Sequence, residues 1–249
     1  IEVLKPFLII ILATILCDIR LNILFKYLIS IFLISVISLL LIAQPDIGQT
    51  LLVVFCWAVL IFTSGINIYI LLAIFIAGAS LLAYLIIYIP RFDYIQGRIF
   101  SFFNRETGTH NFQSDKAIES ITSGGFFGKG IGEGVLKNRV PEAHTDYIIS
   151  VISEEFGVVA IMLILLLFLI LIYMVFKKIS FETNDKVKLI LIGSISLILM
   201  QATIHVGVNI RLFPTTGMTL PFLSYGGSSI ISTSILGGII LNLTKRKIT

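Results

Sequence analysis

Charge is scarce in this 249-residue chain. Only 13% of its residues are Asp, Glu, Lys or Arg, against 57% hydrophobic, and the mean hydropathy is +1.04. A soluble domain carries about 25% charged and 45–50% apolar residues, so lipid rather than water is the solvent here. The formal charge of +4 comes without a basic stripe interleaved with aromatics, so nucleic-acid binding is not indicated. Cysteine is nearly absent. Cys17 and Cys56 fall in or beside apolar runs, which leaves neither a disulfide framework nor metal-ligand spacing. Both read as packing residues. His110 and His205 have no partner at ligand spacing, so no metal site is indicated. A cleavable signal peptide is not evident either: the first apolar run lacks a basic leader and a small-residue cleavage site.

Long apolar runs are what the chain has instead. Seven spans are expected, at Pro6–Cys17, Tyr27–Ala43, Gly48–Ile66, Ile68–Ile89, Tyr147–Phe176, Val187–Val208 and Ser228–Leu243. They approach the roughly 20 residues a bilayer requires. The fold class is therefore all-α, a polytopic helical membrane protein forming one integral membrane domain over residues 1–249. Pro45 stops a helix between the second and third spans, because proline cannot continue the backbone ladder. Gly65-Ile66-Asn67 joins the third and fourth as tightly. One connection is long: Pro90 to Asp146 holds seven basic and seven acidic residues, and loops of this length are usually functional or disordered. Within it, the glycine-dense stretch Ser123–Gly134 reads as irregular backbone packed closely against something. It lacks the GK[ST] ending of a phosphate-binding loop. Lys and Arg divide nine against nine across the membrane, so they leave orientation open. The basic tail Lys245-Arg246-Lys247 favours a cytoplasmic C-terminus and an extracytoplasmic long loop.

Polar residues crowded against a hydrocarbon boundary are costly and usually functional. Pro141-Glu142-Ala143-His144-Thr145-Asp146 is such a cluster. Asp146 has two readings. It is an ordinary helix N-cap, or, if Thr145 caps instead, a free carboxylate that the helix N-terminus stabilises and that can act as a general base toward a sugar hydroxyl. Glu154 and Glu155 lie two turns further on. At about 100° per residue, Glu154 is about 80° and Glu155 about 180° around from Asp146. The two cannot share one wall with it, and they read as structural support or as functional intramembrane carboxylates. A second knot, Asn209–Ser229, has two prolines, glycines and hydroxyls that a plain span would not contain. Such backbone at membrane depth is buried in protein or lines a cavity.

Three blocks at these positions resemble the SEDS family of cell-wall proteins (FtsW, RodA, SpoVE): Gln44-Pro45-Asp46-Ile47-Gly48, then Gly124-Gly125 through Pro141–Asp146 and Glu154-Glu155-Phe156-Gly157, and Pro214 through Ser229. Glu2…Lys5 looks like the end of a fourth. Thr219 and Gln113…Lys116-Ala117-Ile118 look more like FtsW than RodA. The resemblance implies a ten-helix fold of which the first three helices are not in this chain, and an outer placement of the long loop. It implies a peptidoglycan glycosyltransferase that polymerises lipid II during cell division, in a bacterial cytoplasmic membrane. Asp146 would be the catalytic base of an inverting transfer. Arg98, Lys129 and Lys5 would hold the pyrophosphate, with a divalent cation, Mg or Mn, as an optional helper and no certain cofactor. Glu142, His144, Thr145, Asp46, Ser224 and Tyr225 would line the substrate, and an apolar groove would take the polyprenyl tails. The implied partners are lipid II, membrane lipid, a single-span class B penicillin-binding transpeptidase and other division proteins. Two other readings remain: a lipid II flippase and a non-catalytic division scaffold. A flippase needs polar groups along a whole path, whereas the polar clusters at Asp46, Asp146 and Arg211 gather toward one side.

Overall fold

The computed structural model describes residues 2–89, 92–104, 109–136 and 140–245. Among the described residues the secondary structure is helical: α1 (Leu4–Cys17), α2 (Ile23–Ala43), α3 (Ile47–Thr63), α4 (Ile68–Tyr88), α5 (Asp93–Asn104), α6 (Thr109–Gly124), α7 (Ile148–Phe181), α8 (Asp185–Asn209) and α9 (Gly227–Thr244). The seven apolar runs become α1–α4 and α7–α9, with ends within a few residues of those the sequence suggests. Five of them, α2, α4, α7, α8 and α9, are long and apolar enough to cross a membrane, while α1 and α3 are shorter apolar helices. The long polar connection differs from expectation: it contains α5 and α6. Its charges hide them, because no apolar run of membrane length marks either.

The chain forms two compact units. The first comprises Ile1–Phe92, Tyr173–Met200 and Ile231–Thr249, the second Asp93–Ile172 and Gln201–Ile230. In the first unit, Leu12 and Leu16 of α1, Val53, Trp57, Leu60 and Ile61 of α3, and Leu189 and Ile190 of α8 pack into one core. Burial of such side chains contributes about 1.5–3 kcal/mol each. Asp46 caps α3, its Oδ1 accepting from Gln49 N at 3.1 Å. Lys5, 2% exposed, donates to Glu2 Oε2 at 2.7 Å, as burial of an ammonium demands. A cavity of about 650 Å³ lies between α2, α3 and α4, lined by Ile31, Ile34, Val54, Trp57, Ile74 and Phe75 among others. The second unit has its own apolar cluster, Ile149 of α7 with Ala202 of α8 and Leu220.

Candidate active site

The second unit is built on a broken helix. Inside α7, Gly157 takes φ 79° and ψ −179°, which interrupts the hydrogen-bond ladder and strands backbone groups on both sides. The glycine-dense loop supplies the missing partners. Lys129 N donates to Glu154 O at 2.8 Å and Gly130 N to Glu155 O at 3.0 Å, while Val158 N and Val159 N donate to Gly125 O and Phe126 O at 3.0 and 3.3 Å. The two backbones approach so closely that side chains are impossible at the crossing. A Cβ at Gly128 would lie 2.2 Å from Glu155 O, and one at Gly157 would lie 2.1 Å from Phe126 O. The close packing expected of this stretch is thus found, and α7 is its partner.

Glu154 locks the same junction. It is fully buried, and its Oε1 accepts from Val135 N and Leu136 N, both at 2.9 Å, and from Lys129 Nζ at 3.2 Å. Its Oε2 accepts from Ser120 Oγ of α6 at 3.1 Å. Glu155 Oε1 accepts from Gly132 N at 3.2 Å. Both glutamates are structural support in this arrangement.

Asp146 sits just before α7, in a turn wound around one carbonyl. Glu142, with φ 54°, offers its C=O to Thr145 N, Asp146 N and Tyr147 N at 3.1, 3.1 and 3.3 Å. Neither side chain suggested as the α7 cap plays that part. Thr145 Oγ1 donates back to Glu142, to its O at 3.1 Å and its Oε2 at 3.0 Å. The Asp146 carboxylate accepts no hydrogen bond among the described residues. What holds Asp146 is its main chain, whose C=O takes Asn209 Nδ2 at 3.0 Å.

Asn209 belongs to a polar stripe on α8 that sequence reasoning missed. Gln201, His205 and Asn209 recur every four residues and so share one face. Gln201 Nε2 donates to Thr219 O and Oγ1 at 3.1 and 3.2 Å. His205 Nδ1 lies 2.7 Å from Met218 O, so that nitrogen carries the proton. The stripe thereby pins the 214–226 segment and the Asp146 turn to one helix. Two further bonds join segment and turn directly: Ser224 Oγ donates to Thr145 O at 2.6 Å, and Tyr225 N to His144 O at 3.0 Å. Gly217, at φ 67°, faces the carboxylate, and a Cβ there would stand 3.5 Å from Asp146 Oδ2.

The electrostatics of this pocket disfavour the charged form of its carboxylate. Removal from water, then the neighbouring Glu142, push the Asp146 carboxyl up to about 6, against the pull of the Arg98 guanidinium. Arg98 is held by its Nη1, which donates to Thr215 O at 3.1 Å. The second unit therefore brings together Asp146, Arg98, Glu142, His144, Thr145, Ser224 and Tyr225. Thr145 and Ser224 meet it through hydrogen bonds, and the Tyr225 ring is exposed. Lys129 belongs to the same unit but is engaged by Glu154 at the α7 break. Lys5 and Asp46 belong to the first unit, one in an ion pair and one as a helix cap. Arg211 pairs with Asp115. His110 and the residues 137–139 lie outside what is described of the side chains. Among the described residues no three His, Cys, Asp or Glu side chains cluster as a metal site would need.

Comparison with known proteins gives one consistent result. A family model described as FTSW_RODA_SPOVE, cell cycle protein, matches residues 1–248. A relative from Caulobacter vibrioides, named "Probable peptidoglycan glycosyltransferase FtsW", is 36% identical over 210 residues, 84% of this chain and 52% of its own length. One of the same name from Enterococcus hirae is 32% identical over 233 residues, 88% of this chain and 59% of its own length. The chain thus spans about half the length of the curated relatives it matches. A chain from a structure described as "Structural coordination of polymerization and crosslinking by a peptidoglycan synthase complex" aligns at TM-score 0.75 and 26% identity, covering 100% of this chain and 70% of that one. The rod shape determining protein RodA of Thermus thermophilus aligns at TM-score 0.66 and 27% identity, covering 100% and 66%.

Proposed function

The chain belongs to the FtsW, RodA and SpoVE family of multi-pass membrane proteins, and from that premise we propose that it is a peptidoglycan glycosyltransferase with Asp146 as its base. The substrate is lipid II, and the product is a growing glycan strand. The observation that carries the reading is the state of the Asp146 carboxylate. It is positioned by main-chain bonds, accepts no hydrogen bond among the described residues, and sits at about 6, close to working pH, where a general base is most effective. A structural aspartate would be paired or would cap a helix.

The acceptor's sugar 4-hydroxyl gives its proton to Asp146 as its oxygen attacks the donor's anomeric carbon. The carbon–oxygen bond to the pyrophosphate breaks, and the undecaprenyl pyrophosphate departs with the electron pair. Attack from the opposite face inverts the α-linkage to β. Pyrophosphate is a good leaving group, so one base suffices. Arg98, fixed by the Thr215 carbonyl, stabilises negative charge beside the carboxylate. Glu142 and Thr145 shape the turn that presents Asp146, and Ser224 and Tyr225 tie that turn to the 214–226 segment. The described residues offer no cluster of His, Cys, Asp or Glu for a divalent cation, Mg or Mn, so any such ion would have to arrive with the substrate's phosphates. The long segment before α7 faces outward from the cytoplasmic membrane, and the enzyme works at the division site with a class B penicillin-binding transpeptidase.

The test is glycan-strand formation from purified protein and lipid II, resolved on gels, with and without the transpeptidase. Strands from wild type and a yield reduced by orders of magnitude from Asp146→Asn are expected. No strands under either condition would sink the enzyme reading. Full activity in Asp146→Asn would remove that residue from the chemistry, and translocation of labelled lipid II without strands would point to a transporter.

A further inference from the structure

The glycine-rich loop ends in an apolar tip that neither its own packing nor the proposed reaction uses. Phe126, Phe127 and Ile131 are 74%, 84% and 78% exposed. A tip of this composition is unusual on a water-facing loop, where clustered large apolar side chains mark a contact surface. It is also held in place. The four backbone hydrogen bonds that bridge the α7 break flank it on both sides, from Val158 and Val159 to Gly125 and Phe126, and from Lys129 and Gly130 to Glu154 and Glu155.

The far side of that frame identifies what the tip meets. From Val158 onward α7 is an apolar helix whose most hydropathic window averages 3.4 and is only 6% buried. Val159, Met162, Leu163, Leu166 and Leu167 all point away from the protein. In a multi-pass membrane protein such a face meets hydrocarbon. Phe126 O accepts from Val159 N, so the loop is bonded to the first turn of the lipid-facing stretch. The exposed tip is therefore continuous with a lipid-facing surface, at the end of that surface where aromatic side chains collect in membrane proteins.

We propose that the Phe126–Ile131 tip is a membrane anchor, its phenylalanine and isoleucine side chains dipped into the leaflet at the level where the α7 span begins. The first stretch of α7, before Gly157, is all that separates this anchor from the Asp146 turn. The anchor thus fixes the depth of the Asp146 turn relative to the bilayer. A substrate whose reacting sugar hangs from a membrane-embedded tail is met at a set height.

Contact of the tip with the membrane is readable without the reaction. Phe127→Trp and, separately, Ile131→Trp are reconstituted into vesicles of phosphatidylethanolamine and phosphatidylglycerol. The spectrum of the unsubstituted protein, which has one tryptophan, is subtracted. The expected indole emission is blue-shifted, quenched by phospholipids brominated near the headgroup end of the chain, and insensitive to aqueous iodide. Red-shifted emission quenched by iodide in both variants would overturn the proposal, because the tip would then lie in water. Protection from both quenchers, gained only when the transpeptidase is added, would overturn it in favour of a protein-docking surface. Thermal unfolding in detergent controls for folding, and it should be unchanged in both variants because neither side chain is buried.

Discussion

One residue decides whether this protein is an enzyme, and its chemistry is set by its surroundings. Because burial and Glu142 hold Asp146 near 6, strand formation should rise with pH through about 6 and level off above it. Initial rates between acidic and neutral pH would show this. Glu142→Gln removes a like charge and should move the midpoint down, and Arg98→Gln removes an attraction and should move it up. Asp146→Asn should lower the rate by roughly 10²- to 10⁴-fold, the usual contribution of a general base. The same substitution should raise thermal stability above pH 6. A carboxyl raised on folding favours the native state while protonated and loses that contribution as pH climbs through its folded value. Asn209→Leu tests position rather than chemistry. It removes the bond to the Asp146 carbonyl and should slow turnover roughly tenfold without moving the pH midpoint. The sequence made Asp146 visible as a polar residue at a lipid boundary. It could not show that Thr145 bonds Glu142 instead of capping α7, because both hydroxyl contacts are equally compatible with the local sequence.

At the scale of elements, the break in α7 is the feature on which the second unit depends. Gly157→Ala and Gly128→Ala each drive a methyl group into backbone, at a φ that L residues avoid. Each should cost on the order of 3 kcal/mol or more, read as a fall in the unfolding temperature of detergent-solubilised protein. Glu154→Ala leaves two amides and an ammonium without their acceptor, the Ser120 hydroxyl keeping the Ser150 carbonyl, and should cost about 3 kcal/mol by the same measurement. The sequence reads as one long span here because a glycine inside an apolar run is common in membrane helices. The clue was present nonetheless: two adjacent glutamates just before that glycine, opposite a loop with glycines at matching places. The α8 stripe was legible in principle too. Gln201, His205 and Asn209 repeat every four residues in the largely apolar second half of α8, which is a polar face needing a polar partner. Helices α5 and α6 were harder, since their mixed charge resembles that of an irregular loop.

For the whole molecule, composition and the length of the apolar runs sufficed to establish a helical membrane protein, because a water-facing surface needs more charge than 13% supplies. Hydropathy also placed the apolar helices to within a few residues. It could not rank them. In α8, 67% of the most apolar window is buried, against 6% in α4, and that difference arises from packing partners distant in sequence. Orientation is likewise outside what lysine and arginine counts resolve. Glu133→Cys should react with a membrane-impermeant maleimide in intact cells, and Asn184→Cys only after permeabilisation; the reverse pattern would invert the topology proposed above. Cys56 is buried, whereas Cys17 is half-buried at the end of α1, so both variants are made in a Cys17→Ser background. The glycine-bridged junction of loop and helix has an evolutionary corollary. Its bonds run from main chain to main chain, so they are indifferent to which side chains occupy the tip between the glycines. Apolar letters at 126, 127 and 131 are therefore exchangeable for one another to suit membranes of different thickness, whereas Gly128 admits no side chain at all.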